Sequence, residues 1–323
     1  MAETDNNKVI VLGSGMAGMA AASSLQREGL NVLVIDKGSV PGGRVASRKI
    51  GPAIFDHGLQ HFHAETSPFA ASLAEWQSGG LIAPWSAPST TSFPSFRVPG
   101  GMRLLTRHLA RNLTVRQSCR ALTVTPGRSG WRITLDDGTE ETAGGLVVAI
   151  PAPQALALFD TDGSRLPPDI RDGLSAIEYQ RCIAVMARLG GPSGIAGGAL
   201  ECGPEPLSWV ADNHAKGVSD EPGALTLLAG PEFSRQFWEL GDDLVAFRLF
   251  GCIQSKVGRP LAEYQVKRWR LARASATIAE RHLATDAPRP LVFAGEGLGG
   301  DRSEGAWLSG LSAARWMAAR MAA

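Results

Sequence analysis

The sequence predicts an α/β protein: a parallel-sheet domain of the βαβ nucleotide-binding type, joined to an α+β lobe built on an antiparallel sheet. Three observations predict it. Val9-Ile10-Val11-Leu12, a helix-like run from Met19 to Glu28 stopped at Gly29, and Val32-Leu33-Val34-Ile35 form a strand–helix–strand pattern. A glycine pair, Gly42-Gly43, then leads directly into Arg44. Much later, the strand-like runs Cys182–Leu189, Leu207–Ala211, Leu225–Ala229 and Val245–Phe250 point to an antiparallel sheet.

The first turn reads Gly13-Ser14-Gly15-Met16-Ala17-Gly18, a G-x-G-x-x-G pattern, and Asp36 ends the second strand about 20 residues on. Gly13 permits a tight turn, Gly15 lets backbone approach a pyrophosphate, and Gly18 lets the helix pack closely on the strand. The helix start offers unpaired N–H groups and the positive end of its dipole. Asp36, with Lys37 beside it, is placed to accept hydrogen bonds from a ribose diol. Gly42 and Gly43 bring a second stretch of chain to the pyrophosphate, which Arg44 neutralises through forked hydrogen bonds. Two phosphate-binding elements in this order indicate FAD and a Rossmann-type flavin domain. Only one such fingerprint is present. Gly190-Gly191 and Gly197-Gly198 follow no strand–helix pattern suited to phosphate, so a nicotinamide substrate would have no Rossmann domain of its own.

The chain of 323 residues is long enough to bury about three-quarters of its unfolded surface. Its 32 basic and 31 acidic residues nearly balance, which argues against a nucleic-acid surface. Cys119, Cys182, Cys202 and Cys252 have neither C-x-x-C nor zinc spacing, so reduced, buried thiols are expected and a disulfide reductase is excluded. No cysteine follows Cys252, so the expected FAD is noncovalent. The stretch Met1–Lys8 is polar without a signal pattern, and no apolar run of about 18 residues appears. A cytoplasmic protein without a membrane span is expected.

Residues 51–63 read as a loop with a short strand, and Ser67–Ser78 as a helix through Phe69, Leu73 and Trp76. Residues 79–101, rich in Pro, Ser and Thr, read as an excursion into the second lobe by two short strands, within Leu81–Trp85 and Phe93–Val98. Met102–Ala110 reads as a helix. Thr114–Thr125, Gly130–Leu135 and Leu146–Ile150 read as three strands of a small meander, with the backbone near Leu122 to Val124 placed by position against adenine. Phe233–Leu240 and the Arg-rich Tyr264–Leu283 are helical by spacing. Leu291–Ala294 reads as a strand closed by Gly295-Glu296, and a last helix runs from about Glu304 to Ala319. Its small residues Gly305, Ser309 and Ala313 suit close approach to a flavin ring and to the first strand. The expected flavin domain is discontinuous, 1–78, 100–152 and 288–323, and the substrate domain comprises 79–99 and 153–287.

With these pieces in place the chain resembles the renalase family, small relatives of the flavin amine oxidases. The resemblance rests on Gly42-Gly43-Arg44, Phe55-Asp56-His57-Gly58-Leu59-Gln60, Val98-Pro99-Gly100-Gly101-Met102 and Ile150-Pro151-Ala152-Pro153-Gln154. It continues through Ser208-Trp209-Val210-Ala211-Asp212-Asn213, Ala294-Gly295-Glu296 and Glu304-Gly305-Ala306-Trp307-Leu308-Ser309-Gly310. It implies a p-hydroxybenzoate hydroxylase-like fold with noncovalent FAD. It also implies oxidation of 2- and 6-dihydro isomers of NAD(P)H to NAD(P)+, with O2 reduced to H2O2, as metabolite repair. Carried over by position, Gly43, Arg44, His57, Gly58, Leu59, Gln60, His61, Gly295, Glu296, Gly305, Ala306, Trp307 and Leu308 become flavin contacts. The chain departs from the family at His61-Phe62-His63, where Tyr-Phe-Thr is usual, and at His214-Ala215-Lys216-Gly217, where the family runs towards Lys-Pro-Gly. A different substrate follows if these positions line the cavity.

Hydride transfer from a dihydropyridine needs positioning more than acid–base chemistry, so no obligatory catalytic acid or base is assigned. His61 is a candidate for touching flavin edge and substrate, or else a satisfied core histidine. Trp209 is a candidate cavity wall, or else one of eight Trp packed in a core. Lys216 resembles the lysine that amine oxidases hold near flavin N5, or is a solvated surface charge. His57, His61 and His63 lack the further ligands of a metal site, and none is expected. The expected partners are a small-molecule substrate and O2. An amine or imine oxidase, a dehydrogenase of a small cyclic metabolite, and a flavin-binding protein without turnover remain alternatives. The presence of only two Tyr, Tyr179 and Tyr264, is mildly unfavourable to an amine oxidase's aromatic pair.

Overall fold

The computed structural model describes residues 7–86, 92–128, 130–160 and 165–322; the start of the polar stretch Met1–Lys8 and residues 87–91 of the expected excursion lie outside them. Internal contacts divide the chain into two compact units, Met1–Gly43 with Thr106–Glu178 and Ala274–Ala323, and Arg44–Leu105 with Tyr179–Arg273. The sequence places its divisions instead at 78, 99, 152 and 287.

The first unit is an α/β layer structure. Its six-stranded sheet runs in the order Leu283–Thr285, Leu291–Phe293, Gly145–Val148, Lys8–Leu12, Asn31–Ile35, Thr114–Arg116. All neighbours are parallel except the first pair. Val9, Ile10 and Val11 are wholly buried, as a central parallel strand covered on both faces requires. The helix Met16–Arg27 follows the first strand, and the last helix is Ser303–Met321. Their contact needs glycine: a β-carbon on Gly310 would stand 2.1 Å from the Ala17 carbonyl oxygen. That close packing sets the last helix against the first, at a glycine outside the expected small-residue face of Gly305, Ser309 and Ala313.

The expected meander is corrected in two places. Thr114–Thr125 is not one strand: Thr114–Arg116 extends the parallel sheet and Ala121–Pro126 belongs to a small antiparallel sheet, with Ser118 at φ 53° between them. Leu146–Ile150 is replaced by Gly145–Val148, which lies in the parallel sheet, fully buried on both faces. The third strand of the small sheet is Glu140–Ala143, whose polar sequence carries no strand signal.

The second unit centres on a five-stranded sheet in the order Ala199–Glu201, Leu207–Asp212, Ala224–Ala229, Glu178–Leu189, Leu261–Ala276. Two expectations fail here. Tyr264–Leu283 is not a helix, because its first half lies in the 16-residue strand Leu261–Ala276 at the sheet edge. Lys and Arg along an edge strand block pairing with other chains while imitating a helix composition. Val245–Phe250 is not a strand but the centre of the helix Asp242–Gly251. Val245, Ala246, Leu249 and Phe250 form its buried stripe, with Asp242 and Asp243 in its first turn. The expected helix at Phe233–Leu240 shortens to Pro231–Gln236, whereas Ser67–Ser78 forms as expected. The excursion contributes the paired strands Ala83–Pro84 and Phe96–Arg97.

Candidate functional site

In the first unit the glycine-rich turn has the geometry of a phosphate cradle. Gly13 has φ +103°, and a β-carbon on Gly18 would lie 1.9 Å from the Gly13 carbonyl oxygen. Gly15 caps the helix Met16–Arg27 without a side-chain hydrogen bond, so the first-turn N–H groups have no competing side-chain acceptor at the cap. A β-carbon on Gly15 would meet nothing within 4 Å, while one on Gly43 would approach Gly15 Cα at 3.6 Å. The two glycine elements therefore lie close together, with open space on the side of Gly15 where a β-carbon would point. Ser14 is buried, its N–H and Oγ–H donating to Asp36 Oδ2 at 2.6 and 2.7 Å, and Gly38 N donates to Asp36 Oδ1 at 2.6 Å. Asp36 is thus set in place by the turn, with Oδ1 retaining lone-pair capacity for a ribose hydroxyl. Lys37 Nζ donates to Gln154 Oε1 at 3.0 Å and is exposed. The side chain of Leu122 is half-exposed, on the small sheet.

A second cluster of the same unit joins Gly295, Glu296 and the start of the last helix. Gly295 N donates to Ser309 Oγ at 2.9 Å, and Ala274 N donates to Glu296 Oε1 at 3.1 Å. A β-carbon on Gly305 would stand 2.8 Å from the Gly300 carbonyl carbon, and Ala306, Trp307 and Leu308 are buried.

In the second unit Arg44 Nη1 donates to the Leu271 and Ala272 carbonyls, 3.3 Å each, and the guanidinium lies 5.9 Å over the Tyr179 ring. Leu59 N and His57 N donate back to the carbonyls of Arg44 and Ala46. Gly58 is obligatory in that turn, since a β-carbon there would stand 2.0 Å from the Arg44 oxygen. Asp56 anchors the segment. Its Oδ1 accepts from Ser47 Oγ at 2.6 Å and Met102 N at 2.8 Å, and its Oδ2 from Lys216 Nζ at 2.8 Å. Its backbone oxygen accepts from Gln60 Nε2 and Thr226 Oγ1, both at 2.9 Å. Lys216 and Asp56 are completely buried, which corrects the reading of Lys216 as a solvated surface charge. Burial pulls the Lys216 ammonium below the usual lysine range against the opposing pull of Asp56.

His57 stacks on Trp269, ring centroids 5.4 Å apart, and Trp269 Nε1 donates to the His57 carbonyl at 2.8 Å. Burial, then Arg48, Lys267 and Arg103, pull the imidazole down to about 3, so the ring is neutral. His57 Nδ1 and Gln60 Oε1 are buried with no hydrogen-bond partner among the described residues. Buried polar atoms of this kind are normally satisfied, so this segment fits a bound polar group. His61 stacks on Trp209 at 5.4 Å and 21°, with Trp85 edge-on to both at 6.1 Å. Trp209 Nε1 is buried with no hydrogen-bond partner among the described residues, and Lys216 Nζ lies 5.1 Å over Trp85. Sequence reasoning missed Trp85, Trp269 and Asp56 as site-forming residues. Only the Asp56 motif carried a local signal. The thiols are free, but Cys252 is exposed, contrary to the expectation that all are buried, and burial pushes Cys182 up to about 12.

The structure therefore gathers Gly13 to Gly18, Asp36 and Gly43 in one cluster, Gly295, Glu296 and Gly305 to Leu308 in another, and His57 to His61, Trp209 and Lys216 around Asp56. Among the described residues no helix is long and apolar enough to cross a membrane.

Comparison with known proteins agrees with the cradle. Residues 11–76 match the NAD(P)-binding Rossmann-like domain, and residues 77–318 match the flavin containing amine oxidoreductase model. Lysine-specific histone demethylase 1 homolog 2 from Arabidopsis thaliana is 49% identical over 49 residues, 15% of this chain and 7% of that relative. An Exiguobacterium sp. 255-15 protein assigned as a protoporphyrinogen oxidase superposes with a TM-score of 0.77 at 12% identity, over 98% of this chain and 100% of that one. Putrescine oxidase bound to putrescine gives 0.74 at 15%, over 97% and 99%. At these identities the two structures speak to fold alone. With the paired glycine elements, the Asp36 acceptor and a model spanning most of the chain, the protein is an FAD-dependent oxidoreductase that belongs to the flavin containing amine oxidoreductase family.

Proposed function

We propose that the protein is a renalase-like oxidase of the cytoplasm, with the p-hydroxybenzoate hydroxylase-like arrangement which that branch implies. It oxidises 2- or 6-dihydro isomers of NAD(P)H to NAD(P)+. FAD, when bound, would supply the hydride acceptor, with O2 and a proton consumed to give H2O2. The observation that carries this reading is the wall formed by His61, Trp209 and Trp85. A stacked imidazole–indole pair, with a buried indole N–H that has no partner among the described residues, suits a flat, polar heterocycle. Lys216 is held by Asp56 and so is not a free base. A dihydropyridine needs none, because loss of hydride leaves an aromatic cation. Gly13 to Gly18, Asp36 and Gly43 of the first unit would hold the dinucleotide of FAD, and in the second unit Gln60 Oε1 and His57 Nδ1 have hydrogen-bonding capacity for a polar group.

The second reading, an amine or imine oxidase or a dehydrogenase of a small cyclic metabolite, draws on the family's description and the putrescine-bound neighbour. Anaerobic mixing with each dihydro isomer, with ordinary NADH and putrescine as controls, separates the two. Bleaching of the flavin by an isomer alone supports the repair reaction. Bleaching by the amine alone transfers the function to the second reading, and no bleaching by either isomer sinks the first.

A further inference from the structure

In the second unit Arg48 bonds Gln265, and Lys267, two residues further along the same strand, lies over the Trp269 ring that stacks on His57. We propose that this corner is an anion subsite: the reducing substrate carries a phosphate or carboxylate that Arg48 and Lys267 hold, with Arg103 beside them. Asp56 is already committed to Lys216, Ser47 and Met102. Arg48 Nη1 donates to a neutral partner, Gln265 Oε1, at 3.2 Å. Lys267 Nζ lies 5.0 Å over the Trp269 ring, which stacks on His57. Neither cation has a carboxylate in ion-pair range among the described residues. Arg103 is anchored on Ser47, its N–H donating to Ser47 Oγ at 3.0 Å and its guanidinium to the Ser47 carbonyl. Arg97 adds charge on the Lys216 side, its guanidinium against Gly217.

Arg48, Lys267 and Arg103, after burial, add to the pull that holds the His57 imidazole below its ordinary range. Arg48 and Lys267, with no carboxylate in ion-pair range among the described residues, form a positive field that a phosphate or carboxylate relieves. The same field repels a protonated amine, so it discriminates by charge as well as by contact. For turnover the proposal rests on the dihydropyridine reading, of which it specifies the recognised part as the anionic group of the nucleotide. Binding of an anion does not depend on that reading.

The test titrates the holoenzyme with inorganic pyrophosphate and, separately, with succinate, by calorimetry and by the flavin spectrum. Arg48→Gln and Lys267→Gln are expected to weaken whichever anion binds by ten-fold or more. Arg270→Gln, an exposed position on the same strand, leaves it within two-fold. Preference for pyrophosphate identifies a phosphate ligand, and preference for succinate a carboxylate. Equal affinity in all four proteins, or no binding in any, overturns the subsite. Turnover supplies an independent arm: Lys267→Gln raises KM for a dihydronucleotide with kcat unchanged, and leaves the phosphate-free riboside unaffected. If no dihydropyridine bleaches the flavin while pyrophosphate binds and is lost in both variants, the function falls and the subsite stands.

Discussion

Removing one charge of the Asp56–Lys216 pair leaves its partner buried without a counter-charge, which costs about 3–5 kcal/mol. Asp56→Asn is expected to lose that much in urea unfolding. The double variant with Lys216→Met should lose less than the two single losses added together, and strict additivity would refute the coupling. His57 gives a pH dependence of known sign. Its folded value of about 3 lies below the ordinary 6.5, so between these pH values the unfolded chain binds a proton that the folded chain does not. Stability therefore rises with pH through that window and is lost on acidification. His57→Gln should flatten the difference between unfolding free energies measured near pH ~4.5 and ~7. Arg44→Ala should yield largely colourless protein, read as the ratio of flavin to protein absorbance, and full occupancy would sink its pyrophosphate role. At this scale the sequence is readable where partners are close. The Ser14–Asp36 contact lies within the βαβ signature, whereas Lys216 finds its acid 160 positions away and reads locally as a surface charge.

Between elements, Gly15 and Gly18 part company although both belong to one motif. A β-carbon on Gly18 collides with the Gly13 oxygen at 1.9 Å, while one on Gly15 enters open space. Gly18→Ala should destabilise even the apoprotein, by about 1–3 kcal/mol as in overpacked cores. Gly15→Ala should leave the apoprotein's melting unchanged yet lower flavin retention, because the added methyl stands where the phosphate belongs. Elements with one strong pattern were legible: Ser67–Ser78, Ala224–Ala229 and the final helix lie within a few residues of expectation. The helix Asp242–Gly251 was not, since Val245 to Phe250 is a short, mostly apolar run that reads alike as strand or helix until the flanking acids are included. The strand Leu261–Ala276 was missed for the opposite reason, its Arg, Lys, Ala and Gln being good helix formers whose place at a sheet edge is set by pairing with Glu178–Leu189.

Taken whole, the chain carries a formal charge of only +1, so long-range attraction of an anion arises from the arrangement of charge rather than its total. The kcat/KM for an anionic substrate should accordingly fall with added salt as the Debye length shrinks to about 10 Å at 0.1 M, with little change for a neutral one. The two-unit division, with segments of each unit interleaved along the chain, was foreseeable in kind, because the opening βαβ and the closing strand–helix share one signature. Its boundaries follow from contacts between residues hundreds of positions apart. The seam at Gly310 and Ala17 has a further consequence on the ribosome. The first helix emerges early but cannot bury its Ala17 face until residues 303–321 leave the exit tunnel, tens of seconds later at about 5–20 residues per second. Throughout synthesis that face is open to chaperones and proteases, while the stretches that build the second unit have already emerged. Nascent chains stalled before residue 303 should therefore be cleaved by a protease first within Met16–Arg27, and released full-length protein should resist cleavage there.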